Sequence, residues 1–240
     1  MVSTIITSIL TAILALDALA QTTPSLTAEQ RADILMARKM YREAVDVYRE
    51  GPLDSAIIWN KIGIAYHQML QMSEASKYYQ HAIKLNSKYA EAINNLGTIY
   101  YARRSYRRAI GQYNMALKIA PNSASIYSNL GTAQFARKKY EEASISYQKA
   151  LALDPEVFEH RSAYGTLLQE RTVSEKARFH YYLAKTYANA GDVKRAIQYI
   201  RMALEEGFKE RDKLMAEPDF AKLREMSEFK ELMAVEPRVL

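Results

Sequence analysis

Chemistry in this 240-residue chain would have to start from four histidines, His67, His81, His160 and His180, because it contains no cysteine. Disulfides, zinc-cysteine sites and thiol catalysis are excluded outright. The histidine intervals give neither His-x-x-x-His nor His-Glu-x-x-His, so no locally built metal site is expected. There is no Gly-rich phosphate loop and no Gly-x-Ser-x-Gly elbow, and acidic pairs such as Glu141-Glu142 fall on an expected solvent face. A site assembled from distant residues would leave no such signature. No catalytic residue, metal or cofactor is assigned, and the expectation is a non-enzyme. What the residue types do offer is recognition. Side-chain amides at Asn60, Asn94, Asn95 and Asn129 can each donate and accept. Arg103-Arg104, Arg107-Arg108 and Arg137-Lys138-Lys139 concentrate positive charge in a chain that carries 33 basic against 27 acidic residues. No nucleic-acid reading motif accompanies that charge, so nucleic acid is not expected as a partner, whereas an anionic surface or an acidic protein suits it.

The elements that must position these groups come from a repeat. Eighteen of the 25 aromatic residues are Tyr against one Trp, a skew that points to one position copied many times. Ala90 to Ser123 reads AEAINNLGTIYYARRSYRRAIGQYNMALKIAPNS, and Ala124 to Val157 reads ASIYSNLGTAQFARKKYEEASISYQKALALDPEV. Asn-Leu-Gly, Tyr, Ala, Tyr, Ala-Leu and Pro recur in phase. One step back, Trp59, Ile62-Gly63, Tyr66, Ala75, Tyr79 and Ala82-Ile83 fill the same columns. A fourth unit carries Leu183-Ala184, Tyr187, Ala196, Ile200 and Ala203-Leu204, and a worn one carries Tyr41, Ala44 and Tyr48. Trp59, Ile62, Gly63 and Tyr66 make one helical stripe, and Ala75, Tyr79 and Ala82 a second. Gly63, Gly97 and Gly131 sit mid-helix, where Gly costs about 1 kcal/mol against Ala, so a close approach to Ala75, Ala109 and Ala143 of the paired helix is expected there, with Tyr79, Tyr113 and Tyr147 filling the surrounding space. Pro121 and Pro155 end their helices.

These columns resemble the tetratricopeptide repeat family, a helix-turn-helix of 34 residues. The resemblance covers roughly Leu26 to Phe208 except one insertion. It implies an all-α fold, a helical solenoid in which antiparallel helix pairs wind into a right-handed superhelix. Opposite the packing stripe, the first helices carry Asn60, Asn94, Asn95, Thr98, Tyr101, Asn129, Thr132 and Phe135, and in the family this side lines a concave groove. Stacked repeats are expected to align Asn95 with Asn129 as a row of amides and Tyr101 with Phe135 as a row of rings, suited to an extended peptide. The carboxylate-clamp arrangement of the family needs basic residues in these columns, and Asn60, Asn94 and Ser128 do not supply them. The basic clusters Arg103, Arg104, Arg107, Arg108, Arg137, Lys138 and Lys139 flank the turn within each pair and are expected along one edge. The functional expectation is a non-catalytic protein-interaction module, an adaptor or assembly factor of a bacterial cell envelope. The alternative is a glycan or polymer binder serving an envelope enzyme, with Tyr101, Phe135 and Tyr181 as stacking surfaces.

Departures from the repeat set the boundaries. Residues 1–20 read as a signal peptide, from the apolar stretch Ile5 to Leu16 and the small-x-small Ala18-Leu19-Ala20. Cleavage would leave no membrane span and a periplasmic or secreted protein; retention as an anchor is the other reading. Residues 21–55 form a degenerate repeat whose second helix ends early at Gly51-Pro52. Residues 56–157 hold the three tandem repeats, 158–176 an insertion, 177–208 the fourth clear repeat. Residues 209–240 read as a closing cap of three short helices with apolar Leu214, Phe220, Leu223, Phe229, Leu232 and Met233.

Overall fold

A computed structural model describes residues 26–158 and 173–234. The expected signal peptide and most of the expected insertion lie outside those residues. The described residues hold twelve α-helices and no strand, and the fold is an all-helical solenoid of the tetratricopeptide type. They divide into two compact units between Leu53 and Asp54.

The first unit is one helix pair, α1 (Ala28–Ala37) and α2 (Tyr41–Tyr48). A capping box opens α1: Thr27 Oγ1 accepts from the Gln30 amide at 3.1 Å, and Gln30 Oε1 accepts from the Thr27 amide at 2.9 Å. Ala32, Ala44, Val45 and Tyr48 are buried, and the Tyr48 hydroxyl donates to Asp33 Oδ1 at 2.5 Å. As expected, α2 stops short, spanning 8 residues before Gly51-Pro52.

In the second unit the tandem gives three pairs of equal length: α3 (Ala56–Gln68) with α4 (Met72–Leu85), α5 (Ala90–Ala102) with α6 (Tyr106–Ile119), and α7 (Ala124–Ala136) with α8 (Tyr140–Leu153). A fourth pair joins α9 (Val173–Asn189) to α10 (Val193–Glu205). Helix α9 begins at Val173 rather than Ala177, so the end of the segment read as an insertion is its first turn. The cap follows as α11 (Arg211–Ala216), two short 3-10 turns at Pro218–Phe220 and Leu223–Glu225, and α12 (Ser227–Ala234). Leu214, Phe220, Leu223 and Phe229 are buried as expected, but the middle element is two 3-10 turns instead of a helix.

The mid-helix glycines do meet a close approach from the paired helix, but the tyrosine expected to fill the surrounding space, rather than the alanine, makes the tightest contact. A Cβ on Gly63, Gly97 or Gly131 would lie 2.6 Å from the Cε1 atom of Tyr79, Tyr113 or Tyr147 respectively. The tyrosine ring, 16 residues on, presses on each glycine more closely than Ala75, Ala109 or Ala143 does; only at Gly131 does the Ala143 carbonyl come within 3.2 Å as well. In the fourth pair Ile200 replaces the ring and Ala184 replaces the glycine, both fully buried. The need for glycine goes when the ring goes.

Each pair turns in the same way. The Ser105 amide donates to the Tyr100 carbonyl and the Arg104 amide to the Tyr101 carbonyl, both at 2.8 Å, which closes α5 and forces Arg104 into the left-handed region. The equivalent residues have φ of 61° at Lys39, 59° at Leu70, 56° at Arg104, 61° at Lys138 and 82° at Gly191. Only the last is the residue that adopts this conformation without strain; a side chain there costs about 1 kcal/mol.

Candidate functional site

Within the second unit, successive first helices touch, α3 with α5 and α5 with α7, while each second helix packs onto the first helix of its own pair and, on its other flank, onto the first helix of the next pair. The first-helix side is therefore the tight side of the stack, and this decides what becomes of the residues expected to bind a partner. Asn60, Asn94, Asn95, Thr98, Asn129, Thr132 and Phe135 are all buried, from 1% exposed at Asn60 to 6% at Thr98. Of the expected set, Tyr101 alone keeps partial exposure.

The amides do not form an open row. Asn129 Nδ2 donates to Asn94 Oδ1 at 3.0 Å, Asn94 Nδ2 to Asn95 Oδ1 at 3.4 Å, and Asn95 Nδ2 to Asn60 Oδ1 at 3.1 Å. Asn60 Nδ2 then donates to Glu91 Oε1 at 3.0 Å and the Tyr89 hydroxyl at 3.3 Å. The result is a continuous buried ladder across three repeats. Its inter-repeat steps are 35 residues, not 34, because each first helix meets its neighbour one residue out of register. The threonines are also committed inward: Thr98 Oγ1 and Thr132 Oγ1 accept from the hydroxyls of Tyr113 and Tyr147 at 3.4 Å and donate to the Asn94 and Ser128 carbonyls. Amides and hydroxyls satisfied in this way are unavailable to a peptide backbone, which corrects the expectation drawn from their columns.

The expected ring row is corrected too. Phe135 packs edge-on against Tyr140 at 5.1 Å, Phe179 at 5.5 Å and Tyr182 at 5.9 Å, so it belongs to the core joining α7, α8 and α9. Tyr181 is 1% exposed, stacks on Phe208 at 4.9 Å, and cannot present a face to a sugar. What the first-helix side leaves open is its margin. Ile57, Glu91 and Ser125 form one exposed column at the start of the helices, with Ser128 beside it, and Tyr101, against Tyr106 at 5.3 Å, lies at their end.

At the far end the cap closes this side. Lys185 Nζ lies 3.0 Å from Glu217 Oε1 and 3.2 Å from Asp219 Oδ2, and the Tyr181 hydroxyl donates to Glu217. Burial pushes the Glu217 carboxyl up, but the hydrogen bonds from Tyr181 and Lys185 outweigh it and hold the carboxyl below the usual range. Burial lowers Lys185, and Glu217 and Asp219 more than reverse that, leaving it raised.

The basic residues lie at and just after the turns within the pairs. Arg103, Arg104, Arg107, Arg108 and Lys138 are exposed, and Arg137 and Lys139 half-buried. Lys139 pairs with Glu142 at 2.6 Å, and the Arg108 guanidinium sits 5.8 Å from the Tyr100 ring. Arg103 Nη2 donates to Ser73 Oγ at 3.2 Å, which ties this turn to the one before it.

Among the described residues, the histidines lie in packing contacts or beside a single carboxylate. His81 lies 4.3 Å from Trp59 between ring centroids, and burial holds His67 below its ordinary pKa. His180 Nδ1 is 2.6 Å from Glu206 Oε2; burial lowers its pKa and Glu206 only partly opposes this. His160 lies outside the described residues. Among the described residues no three His, Asp or Glu side chains are grouped to hold a metal ion, and no helix is long and apolar enough to cross a membrane.

Sequence profiles described as tetratricopeptide repeat match residues 54–122 and 88–156, and another so described matches 161–208. Among solved structures, the chain is similar to the 41-end form of MamA from Desulfovibrio magneticus RS-1, with 18% identity, a TM-score of 0.52, and coverage of 76% of this chain and 94% of that one. The MamA RS-1 ArsTM double mutant gives 19% identity, a TM-score of 0.52, and coverage of 75% and 92%. BtubC (BKLC) from P. vanneervenii gives 22% identity, a TM-score of 0.51, and coverage of 75% and 78%. These are likenesses of fold. A search of curated proteins gives no significant match.

Proposed function

Because the chain belongs to the tetratricopeptide repeat family, we propose that it is a non-catalytic adaptor that holds an extended segment of a protein partner along its first-helix side. The observation that carries this reading is the exposed column Ile57, Glu91 and Ser125, one residue per repeat, with Tyr101 at the other margin. A surface that presents one side chain per repeat in sequence suits a segment of regular rise, and the alternation of an apolar, an acidic and a hydroxyl residue gives it direction. Because the amide ladder fills the middle of this side, partner side chains rather than partner backbone supply the contacts. We further propose a place in a bacterial cell envelope, a reading supported by the apolar stretch Ile5 to Leu16 and the Ala18-Leu19-Ala20 that follows it.

The test is site-specific photocrosslinking in native cells, with the crosslinking residue placed in turn at Ile57, Tyr101 and, as a control on the second-helix side, Leu153. One protein captured from Ile57 and Tyr101, and lost when the exposed Ser125, which lies outside the amide ladder, is replaced by Lys, is the expected result. Capture of that protein from Leu153 alone would overturn the assignment of the surface.

A further inference from the structure

The turn edge carries an unusual combination of charge, apolar exposure and backbone strain. Arg103, Arg104, Arg107 and Arg108 are exposed in one turn, and Arg137 and Lys138 follow in the next. The carboxylates near them are few: Glu74 is paired with Lys77 at 2.7 Å, Glu142 with Lys139 at 2.6 Å, and Glu141 is exposed. The turn on the other side presents Leu70, the most exposed large apolar residue described, at 77%. The hydrogen bond from Arg103 to Ser73 sets this turn directly beside the arginines. Leu70, Arg104 and Lys138 occupy the same position in successive turns, all with left-handed backbone, where the last pair uses Gly191. Folding asks for glycine at this position; three large side chains are held there against that preference and project outward from it. None of them is explained by the packing of the pair it closes.

Basic residues interleaved with a projecting leucine, with the half-exposed Tyr106 between Arg104 and Arg107, match one kind of surface. Phosphate headgroups attract the guanidinium and ammonium groups, the apolar tip enters the acyl boundary, and tyrosine rings settle at headgroup level. We propose that this edge docks the protein onto an anionic lipid bilayer, leaving the first-helix side free for its partner. A soluble acidic protein or a nucleic acid would use the charge and have no use for a leucine displayed in a strained turn.

The test is co-sedimentation of the whole protein with vesicles of phosphatidylglycerol and phosphatidylcholine, against vesicles of phosphatidylcholine alone. Binding to the first, weakened by salt, and none to the second is expected. Each arginine near the surface contributes a factor of about five, so Arg103→Ser, Arg104→Gly, Arg107→Ser and Arg108→Ser together should lower the partition by roughly several hundredfold. Leu70→Gly should lower it several-fold and relieve the turn. Lys84→Ser with Lys118→Ser, exposed at the opposite ends of the second helices, should leave it unchanged. Circular dichroism checks that each variant remains helical, and the glycine substitutions follow the backbone already present. Wild-type binding by the four-arginine variant would overturn the proposal. So would a Leu70→Gly variant that partitions normally while polyglutamate or DNA competes the protein off the vesicles, which would make the edge a reader of soluble polyanions.

Discussion

The α5–α6 and α9–α10 pairs share one frame and fill it with different chemistry. Gly97 faces the Tyr113 ring in the first, whereas Ala184 and Ile200 take those positions in the second. Arg104 holds the strained turn in the first, and Gly191 the relaxed one in the second. Where α5 places Asn94, Asn95 and Thr98, α9 places Tyr181, Tyr182 and Lys185. The amides of α5 bond to first helices on both sides, and the phenol and ammonium of α9 bond to Glu217 and Asp219 of the cap. The three columns thus act as a connector whose chemistry is matched to its neighbour: neutral amides between the tandem repeats, and a phenol and an ammonium where the last pair meets the cap.

The largest effect that would break this comparison is at its boundary. Phe135→Ala removes a ring shared by α7, α8 and α9, and should cost about 3–5 kcal/mol in denaturant melts. If α9 packed as an independent element, its loss would be felt only locally. Asn94→Ala comes next. It strands the Asn129 amide and the Asn95 carbonyl that it bridges, at roughly 1–3 kcal/mol, and hydrogen exchange in α3 and α7 should accelerate together. Gly97→Ala should cost about 1–3 kcal/mol through collision with Tyr113, and Gly97→Ala with Tyr113→Ile, the combination found in the fourth pair, should recover part of it. Measured additivity of the two changes would refute the ring as the cause.

Two smaller effects sharpen the contrast at the ends of the frame. The Glu217 carboxyl is held below its unfolded value, so its contribution to stability is full above the ordinary carboxylate pKa near 4.5 and is lost as pH falls through the lower folded value. Acid melts should show the cap loosening from α9 in that window, and Glu217→Gln should remove the dependence. Arg104→Gly should raise stability by up to about 1 kcal/mol, because the turn already has the backbone glycine prefers.

Helices, pairing and cap were legible in the sequence because each rests on a fixed interval within one chain segment. The 34-residue step gave the three tandem pairs, and Gly51-Pro52 gave the short α2. The glycines were legible as sites of close approach lined by an alanine and a tyrosine, but not which of the two is tighter: Ala75 and Tyr79 both face the first helix, and only the position of the ring shows which presses on Gly63. The amide ladder was not legible, since equal columns suggest side chains in parallel, whereas the contact between Asn95 and Asn60 depends on how one helix sits against the next. Phe135 looked available because its covering residues, Phe179 and Tyr182, arrive after the interruption that breaks the count. In the cap, the apolar residues were correctly read as buried, but segments of three residues are too short for a pattern to tell a 3-10 turn from a helix.

The one-residue offset in the ladder also bears on how such an array grows and shrinks over generations. Every rung joins the same two columns, one on each side of a repeat boundary, so the boundary is interchangeable. If Ala90 to Ser123 were excised, Asn129 would arrive where Asn95 stands and meet Asn60 at the same offset. A gene losing or duplicating one whole repeat would re-form its rungs at once, while a loss of any other length would leave amides without partners in the core. The column ends at Ser128, whose side chain is no amide, so a copied repeat carrying Asn94 re-forms the same amide rung only if it is inserted before that point.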